Sequence, residues 1–140
     1  MKDLNGKPAL VVNRAQCLNC GDVLISKHRH DYVSCCCGSL SLDGGLDYLK
    51  RSYINAGDVL ELSLYTDSPW EEIRCNVFRG SRGKNGDKPL TWRSLSEIDE
   101  EYLKSLVEYK ERYTETKDIH YWAYCKERDY RDELQKESLK

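Results

Sequence analysis

At 140 residues, a third of them charged and 39% apolar, the chain is long enough for one compact domain or two small units but too polar for a large core. Its formal charge of −2 is unevenly divided: residues 1–95 hold 13 Lys/Arg and 11 Asp/Glu, and residues 96–140 hold 9 and 13. Neither value supports adhesion of the whole chain to nucleic acid, and no apolar run reaches the length of a membrane-spanning helix.

The first residues are polar, and Ala9 to Val12 is a short apolar run, expected as an edge strand leading into Cys17-Leu18-Asn19-Cys20-Gly21. Cys35-Cys36-Cys37-Gly38 answers this motif further along the chain. Two cysteine turns, each followed by glycine, suit four thiolates around one tetrahedral Zn²⁺. Glycine permits positive φ there and lets backbone N–H groups approach the sulfurs. Three consecutive cysteines leave the register of the second pair open. The expected ligands are Cys17, Cys20, Cys35 and Cys37, because that choice leaves Cys37-Gly38 parallel to Cys20-Gly21, with Cys36 a spare on the other side of the strand. A disulfide framework and small buried hydrophobes are the other readings of these cysteines. An odd total of 7 cysteines and the lack of a signal peptide point to a reducing, cytoplasmic compartment. A structural metal matters to so thin a core, since zinc binding contributes about 10–16 kcal/mol of folding free energy in isolated fingers.

Asp22 to Lys27 and Tyr32 to Ser34 read as a hairpin that brings the cysteine pairs together, with His28-Arg29-His30-Asp31 as its polar tip. Ser39 to Leu42 alternates as a third strand, Asp43-Gly44-Gly45 turns it, and Leu46 to Tyr53 leads toward the second region. Asp31 is expected to cap the tip, with Arg29 or His30 paired to it. In other readings His28 or His30 replaces a cysteine ligand, or His30 acts as a general base oriented by Asp31. No nucleophile accompanies them, and the later Asn and His of an HNH nuclease site are missing.

Together, Asn13-Arg14, C-x2-C-G-Asp22, Ser26-Lys27, Arg29-His30-Asp31, C-x-C-G, Asp43-Gly44-Gly45, Tyr48 and Arg51 resemble a family of small, uncharacterised zinc-ribbon proteins of bacteriophages and bacteria. The resemblance covers residues 13–55. It implies a zinc ribbon, a phage origin and hence a host bacterial cytoplasm, and its single residue between the second pair of cysteines supports Cys35 and Cys37 as ligands. Here that residue is Cys36, an alternative ligand. The resemblance implies no established activity.

Residues 57–66 alternate, with Leu60, Leu62 and Leu64 on one face, as a half-buried strand does. Asp67-Ser68-Pro69 breaks the pattern, and Trp70-Glu71-Glu72 is expected as one helical turn with Pro69 at its first position. A second strand is expected over 73–77, with Ile73, Cys75 and Val77 pointing one way. Arg79 to Pro89 contains three glycines and reads as a hairpin loop, with Leu90 to Arg93 as the returning strand. Residues 79–93 hold five basic residues and one acid. Arg79, Arg82, Lys84 and Lys88 are therefore candidate phosphate contacts, although the spacing is not that of a P-loop. A solvated turn that keeps a sheet edge soluble is the plainer reading. The segment 79–107 also resembles part of small phage proteins, without assigned chemistry.

Ser96 to Asp99 fits a capping box for a helix from Glu97 to about Arg112. Its expected buried face holds Ile98, Tyr102, Leu103, Leu106, Val107, Tyr109 and Tyr113. Thr114 to Lys117 is expected as a turn. A second helix over 118–137 places Ile119, Ala123, Tyr130 and Leu134 along its packed stripe and leaves Tyr121 and Tyr124 on a free face, a candidate protein interface.

The expected fold is α+β, with an N-terminal zinc ribbon (1–56) and a small α+β unit ending in a helical hairpin (57–140), packed together as one body. No catalytic constellation is visible. The expected function is that of a non-enzymatic, phage-type zinc protein that binds a host macromolecule, to inhibit or redirect host machinery or antiviral defence. A host protein is the first partner expected, a second copy of the chain another, and a membrane none. The alternative is binding of nucleic acid or nucleotide phosphates through loop 79–88, and the remotest is a metal-dependent nuclease or other enzyme of phosphorylated ligands.

Overall fold

In the computed structural model, which describes residues 1–113 and 118–139, the longest strand is β1, Leu10–Cys17. The expected turn at Thr114 to Lys117 lies outside the described residues. The fold is α+β, and the chain divides into two compact units, Lys2–Pro69 and Trp70–Lys140, the latter with Met1.

In the first unit β1 is a central strand, not the short edge strand expected. It pairs antiparallel with β2 (Val23–Ser26) on one side and with β6 (Val59–Glu61) on the other. Its buried residues include Val11, Asn13, Ala15 and Cys17, the inward positions of a period of two. A second sheet joins β3 (Val33–Ser34), β4 (Leu40–Asp43) and β5 (Lys50–Tyr53) in antiparallel order. The expected hairpin across residues 28–31 is not formed, since β2 pairs with β1, and β3 pairs with β4. Each cysteine turn closes its own hairpin, and the polar tip crosses from one sheet to the other.

The strand expected over 57–66 is two short ones, β6 and β7 (Leu64–Tyr65), both on β1. Between them Leu62 N–H still donates to the Arg14 carbonyl (3.0 Å), but Arg14 N–H donates to the Ser63 hydroxyl (3.1 Å) instead of a carbonyl. A side chain replaces one rung of the ladder, so regular pairing lapses there. These strands belong with the cysteine-bearing sheets, which moves the boundary between units from the expected 56/57 to 69/70.

In the second unit α1 (Trp70–Ile73) follows Pro69 as expected. The strand over 73–77 does not form. Arg74 N–H donates to the Trp70 carbonyl (2.9 Å) and Val77 N–H to the Ile73 carbonyl (3.1 Å), so the segment stays in helical turns. Ile73 and Val77 are buried and Cys75 is exposed, which is the i, i+4 pattern of a helix rather than the alternation of a strand. A hairpin forms between β8 (Phe78–Ser81) and β9 (Thr91–Ser94); β9 is the returning strand expected, but its partner is 78–81, most of which was expected as loop, and not 73–77.

Helix α2 spans Glu100–Tyr113. It starts three residues later than the capping box suggests, because Asp99 and not Ser96 caps it: Tyr102 N–H donates to the Asp99 carboxylate at 2.7 Å. Ser96 is engaged with the Ser94 hydroxyl at 2.6 Å. Leu103, Leu106 and Val107 are buried as expected, whereas Tyr109 and Tyr113 are exposed. Helix α3, Ile119–Ser138, is capped by the Asp118 carboxylate, which accepts from Tyr121 N–H at 2.9 Å. Its buried residues are Ala123, Tyr124 and Glu127, and Leu134 is exposed. Tyr124 is 3% exposed, which corrects its assignment to a free face.

The side chain that turns α3 is Glu127, fully buried. Its carboxylate accepts from Arg74 Nε (2.8 Å) and Nη2 (2.7 Å), Arg131 Nε (2.8 Å) and Trp70 Nε1 (3.2 Å). Arg131 also donates to the carbonyls of Leu95 (2.8 Å) and Ile98 (2.7 Å). A buried carboxylate is tolerated only with such partners, and the stripe pattern of apolar residues gives no sign of them. Burial works to raise the Glu127 pKa, but hydrogen bonds from Arg74 and Arg131 outweigh it and hold the group below the usual range of Glu.

Removing the carboxylate leaves two arginines without their partner, so Glu127→Ala lowers unfolding free energy by about 3–5 kcal/mol in chemical denaturation. Because the folded pKa is depressed, the stabilisation is complete above the unfolded pKa of Glu and is lost as pH falls through the lower folded value. A wild-type acid-unfolding limb that persists unchanged in Glu127→Ala contradicts this assignment.

Candidate metal centre and cationic groove

The two cysteine turns are built alike. In the first, Gly21 N–H donates to the Cys17 carbonyl (2.7 Å) and Cys17 N–H to the Asp22 carbonyl (2.9 Å). In the second, Gly38 N–H donates to Cys35 (3.1 Å) and Cys35 N–H to Leu40 (3.0 Å). Gly21 and Gly38 have φ of 84° and 76°, the left-handed conformation that ends each turn and reverses the chain into β2 or β4. The second turn has one residue fewer between its cysteines, and the glycine accordingly closes a shorter hydrogen-bonded ring.

This repeated geometry brings Cys17, Cys20, Cys35 and Cys37 together, with all four sulfurs within 4.8 Å of one another. Cys17 Sγ lies 3.7 Å from Cys37 Sγ, and Cys35 Sγ lies 3.5 Å from Cys37 Sγ. A tetrahedron with metal–sulfur bonds of ~2.3 Å has edges of about 3.8 Å, so the donor set fits a four-coordinate thiophilic ion. Cys17 and Cys35 are buried beside Ala15, Leu40 and Leu42, with Cys20, Leu24, Val33 and Val59 packed around them. Cys17 and Cys35 thus root the centre in the core of its unit, while Cys20 is half-buried and Cys37 exposed.

Donors converge on the sulfurs. Leu40 N–H points at Cys35 Sγ (3.3 Å) and Asn19 Nδ2 at Cys37 Sγ (3.4 Å), and the Ser39 hydroxyl is 3.1 Å from Cys37 Sγ. The Ser39 and Asn19 side chains lower the Cys37 pKa to about 6, which favours the thiolate. At Cys17 the Cys20 N–H acts to lower the pKa, but burial and the hydrogen bonds of neighbouring thiols push it up to about 11. A cation held by these four cysteines would favour their thiolate forms and release protons on binding. Sequence reasoning missed Asn19 and Ser39; their signal is a hydrogen-bonding side chain placed within or directly after each turn.

Cys36 stands outside this set. It is exposed, its N–H donates to Asp22 Oδ2 at 2.7 Å, and it forms a separate group with Cys20 and Asp22. Neither His28 nor His30 joins the sulfur groups. The Asp31 carboxylate accepts from Lys27 N–H at 2.7 Å and lies 3.9 Å from His28 Nε2, so it caps the turn as expected but orients no base at His30. His30 Nδ1 instead lies 3.2 Å from the Tyr48 hydroxyl.

The remaining motif residues hold the two sheets together. Buried Asn13 on β1 donates to the carbonyls of Gly45 (2.8 Å) and Asp43 (3.2 Å) and accepts from Arg51 Nη1 (2.8 Å) on β5. Arg51 in turn makes a paired hydrogen bond to Glu61 at 2.9 and 2.7 Å. Ser26 Oγ accepts from Gly45 N–H (3.0 Å) and donates to the Asp31 carbonyl (2.7 Å). A Cβ at Gly45 would collide with the His28 and Arg29 backbone, so glycine is required by close approach.

The second candidate site lies in the C-terminal unit. Arg79 on β8 faces Arg93 on β9 directly across the hairpin, and Ser81 faces Thr91. This face, Lys84 and Lys88 from the loop, and Tyr102 on α2 line a groove of about 700 Å³ that Asp99 and Glu101 also border. Arg82 is exposed and is not among the lining residues. Like charges directly opposed across two strands repel, and no ion pair joins Arg79, Lys84, Lys88 or Arg93 to a carboxylate among the described residues. On α3, Tyr121 is half-buried and donates to Glu111 at 3.0 Å, so neither it nor Tyr124 forms the free aromatic face expected.

Residues 9–53 match the family model described as a Domain of unknown function (DUF7695). The matched segment contains both cysteine turns and the Asn13–Arg51 contact, and it ends at the last residue of β5. No curated protein and no solved structure matches the chain.

The register makes a direct test. Native mass spectrometry of the purified chain is expected to show one metal ion retained by Cys36→Ser and lost from Cys17→Ser and Cys37→Ser. Metal kept by Cys37→Ser and lost from Cys36→Ser contradicts the assignment.

Proposed function

We propose that the chain is a non-enzymatic zinc-ribbon protein of phage type that binds a host macromolecule, and that the groove beside the basic hairpin receives the partner's phosphate groups. Zinc is the ion of choice because four cysteine sulfurs at tetrahedral spacing, two of them buried, match a four-coordinate structural site with no position left for a substrate. Zn²⁺ bound there supplies charge neutralisation and cross-linking; Cys17, Cys20, Cys35 and Cys37 hold it, and Asn19, Ser39 and Leu40 orient the sulfurs.

The observation that carries the partner class is the Arg79–Arg93 pair, opposed across one hairpin and joined in the groove by Lys84 and Lys88. An anion between such cations relieves their repulsion, and phosphates of a nucleic acid or nucleotide meet that requirement. A local cationic face accomplishes this in a chain whose overall charge is −2. The phage origin and an effect on host machinery or antiviral defence rest on the sequence resemblance. A protein partner on α3 is the weaker reading, because Tyr124 is packed inside.

Fluorescence titration with single-stranded and duplex oligonucleotides at several salt concentrations tests the groove. Binding is expected to weaken by about 0.7–0.9 log units per decade of salt for each phosphate neutralised, and Lys84→Ala with Lys88→Ala to reduce that slope by about 1.5. Binding that ignores both salt and these substitutions excludes the groove as a phosphate site.

A further inference from the structure

The first cysteine turn carries a donor group that the four-sulfur centre does not use up. Cys20 Sγ, Cys36 Sγ and an Asp22 carboxylate oxygen lie within 4.8 Å of one another, and Cys20 belongs to both this group and the four-sulfur set. Cys36 is exposed and Cys20 and Asp22 are half-buried, so the second group opens outward, whereas Cys17 and Cys35 of the first group are buried.

We infer that Cys20, Cys36 and Asp22 form a second, solvent-facing site for a soft divalent or monovalent d¹⁰ metal ion, with Cys20 as the thiolate shared by both ions. The proposal rests on the four-cysteine centre proposed above, because Cys20 bridges only if it already serves there. A thiolate bound to one ion keeps lone pairs that can reach a second, and thiolate ligands select soft metals such as Cd²⁺ or Cu⁺ over hard cations. Asp22 is fixed for this role. One of its oxygens accepts the Cys36 N–H at 2.7 Å, which ties the two cysteine turns together and holds the carboxylate beside both sulfurs. An exposed three-donor site leaves room for water or an external thiol and should bind more weakly than the buried set, which suits transfer of a metal ion better than its permanent retention.

The sequence anticipates part of this. Cys36 is the cysteine left over when the ligands are assigned at the spacing of the second turn, and Asp22 directly follows the glycine of the first. Nothing in the four-sulfur centre requires a thiol at 36. The meeting of Cys36 and Asp22 at Cys20 depends on the two turns facing each other, which only the folded chain shows.

The test is Cd²⁺ titration of the full chain followed by native mass spectrometry, with Cys75→Ser and Cys125→Ser introduced so that only the N-terminal thiols are counted. Two equivalents are expected, the second at least tenfold weaker. Cys36→Ser should abolish the second equivalent and keep the first. Asp22→Asn, which still offers an oxygen to the Cys36 N–H, should weaken the second at least tenfold without affecting the first. One equivalent alone in the parent, a second that survives both substitutions, or loss of the first in Cys36→Ser each overturns the proposal. Failure to bind even a first equivalent is separate: it overturns the four-cysteine centre itself.

Discussion

Four cysteine sulfurs are brought within bonding distance of a common point by two short turns, and the architecture of residues 2–69 depends on that convergence. Each turn closes a hairpin, one linking β1 to β2 and the other linking β3 to β4. The strands are two to eight residues long and the apolar core cluster is small, so hydrophobic burial alone offers little to hold two such sheets together. A metal ion held by the four sulfurs would join the sheets where Cys17 and Cys35 are buried. Asn13 and Arg51 then align the sheets further along, through hydrogen bonds rather than apolar contact.

The C-terminal unit solves the same problem of a thin core by different means. Glu127 gathers Trp70, Arg74 and Arg131 from α1, the turn after it and α3, and Arg131 extends the network to the carbonyls that precede α2. Four hydrogen bonds from three side chains meet at the fully buried carboxylate, so the arrangement fixes the rotation of α3 about its axis. That rotation buries Tyr124 and exposes Leu134. The unit's exposed chemistry then falls to the hairpin, where cations from both strands and the loop meet around one groove.

Legibility in the sequence followed the strength of local signals. The cysteine turns, the returning strand of the hairpin around the glycine-rich loop and the existence of two C-terminal helices were readable, because each is set by residues close in the chain, whereas the hairpin's first strand was expected at 73–77 and forms at 78–81. Strand partners were not readable. The hairpin imagined across residues 28–31 obeyed local rules, but pairing is decided by what each cysteine turn folds back upon. The segment 73–77 has apolar residues at both strand and helix spacing, and the bonds to Trp70 and Ile73 settle it as helical. Buried polar groups mislead most: Glu127 sits where a stripe of apolar residues was sought, and Tyr124 follows it inward. At the site, residue spacing picked out the four cysteines that converge but gave no indication that Asp22 lies beside Cys36 or that Arg93 lies opposite Arg79.

The central claim is that a metal ion among four thiolates is the core of the N-terminal unit, rather than an ornament on a fold that exists without it. Amide hydrogen exchange before and after removal of metal by a strong chelator, under reducing conditions, tests this most directly. The account predicts that protection across β1 to β5 collapses when metal is removed and returns when Zn²⁺ is restored, while protection in α2 and α3 persists. Unchanged protection of β1 and β4 in the metal-free chain would contradict it.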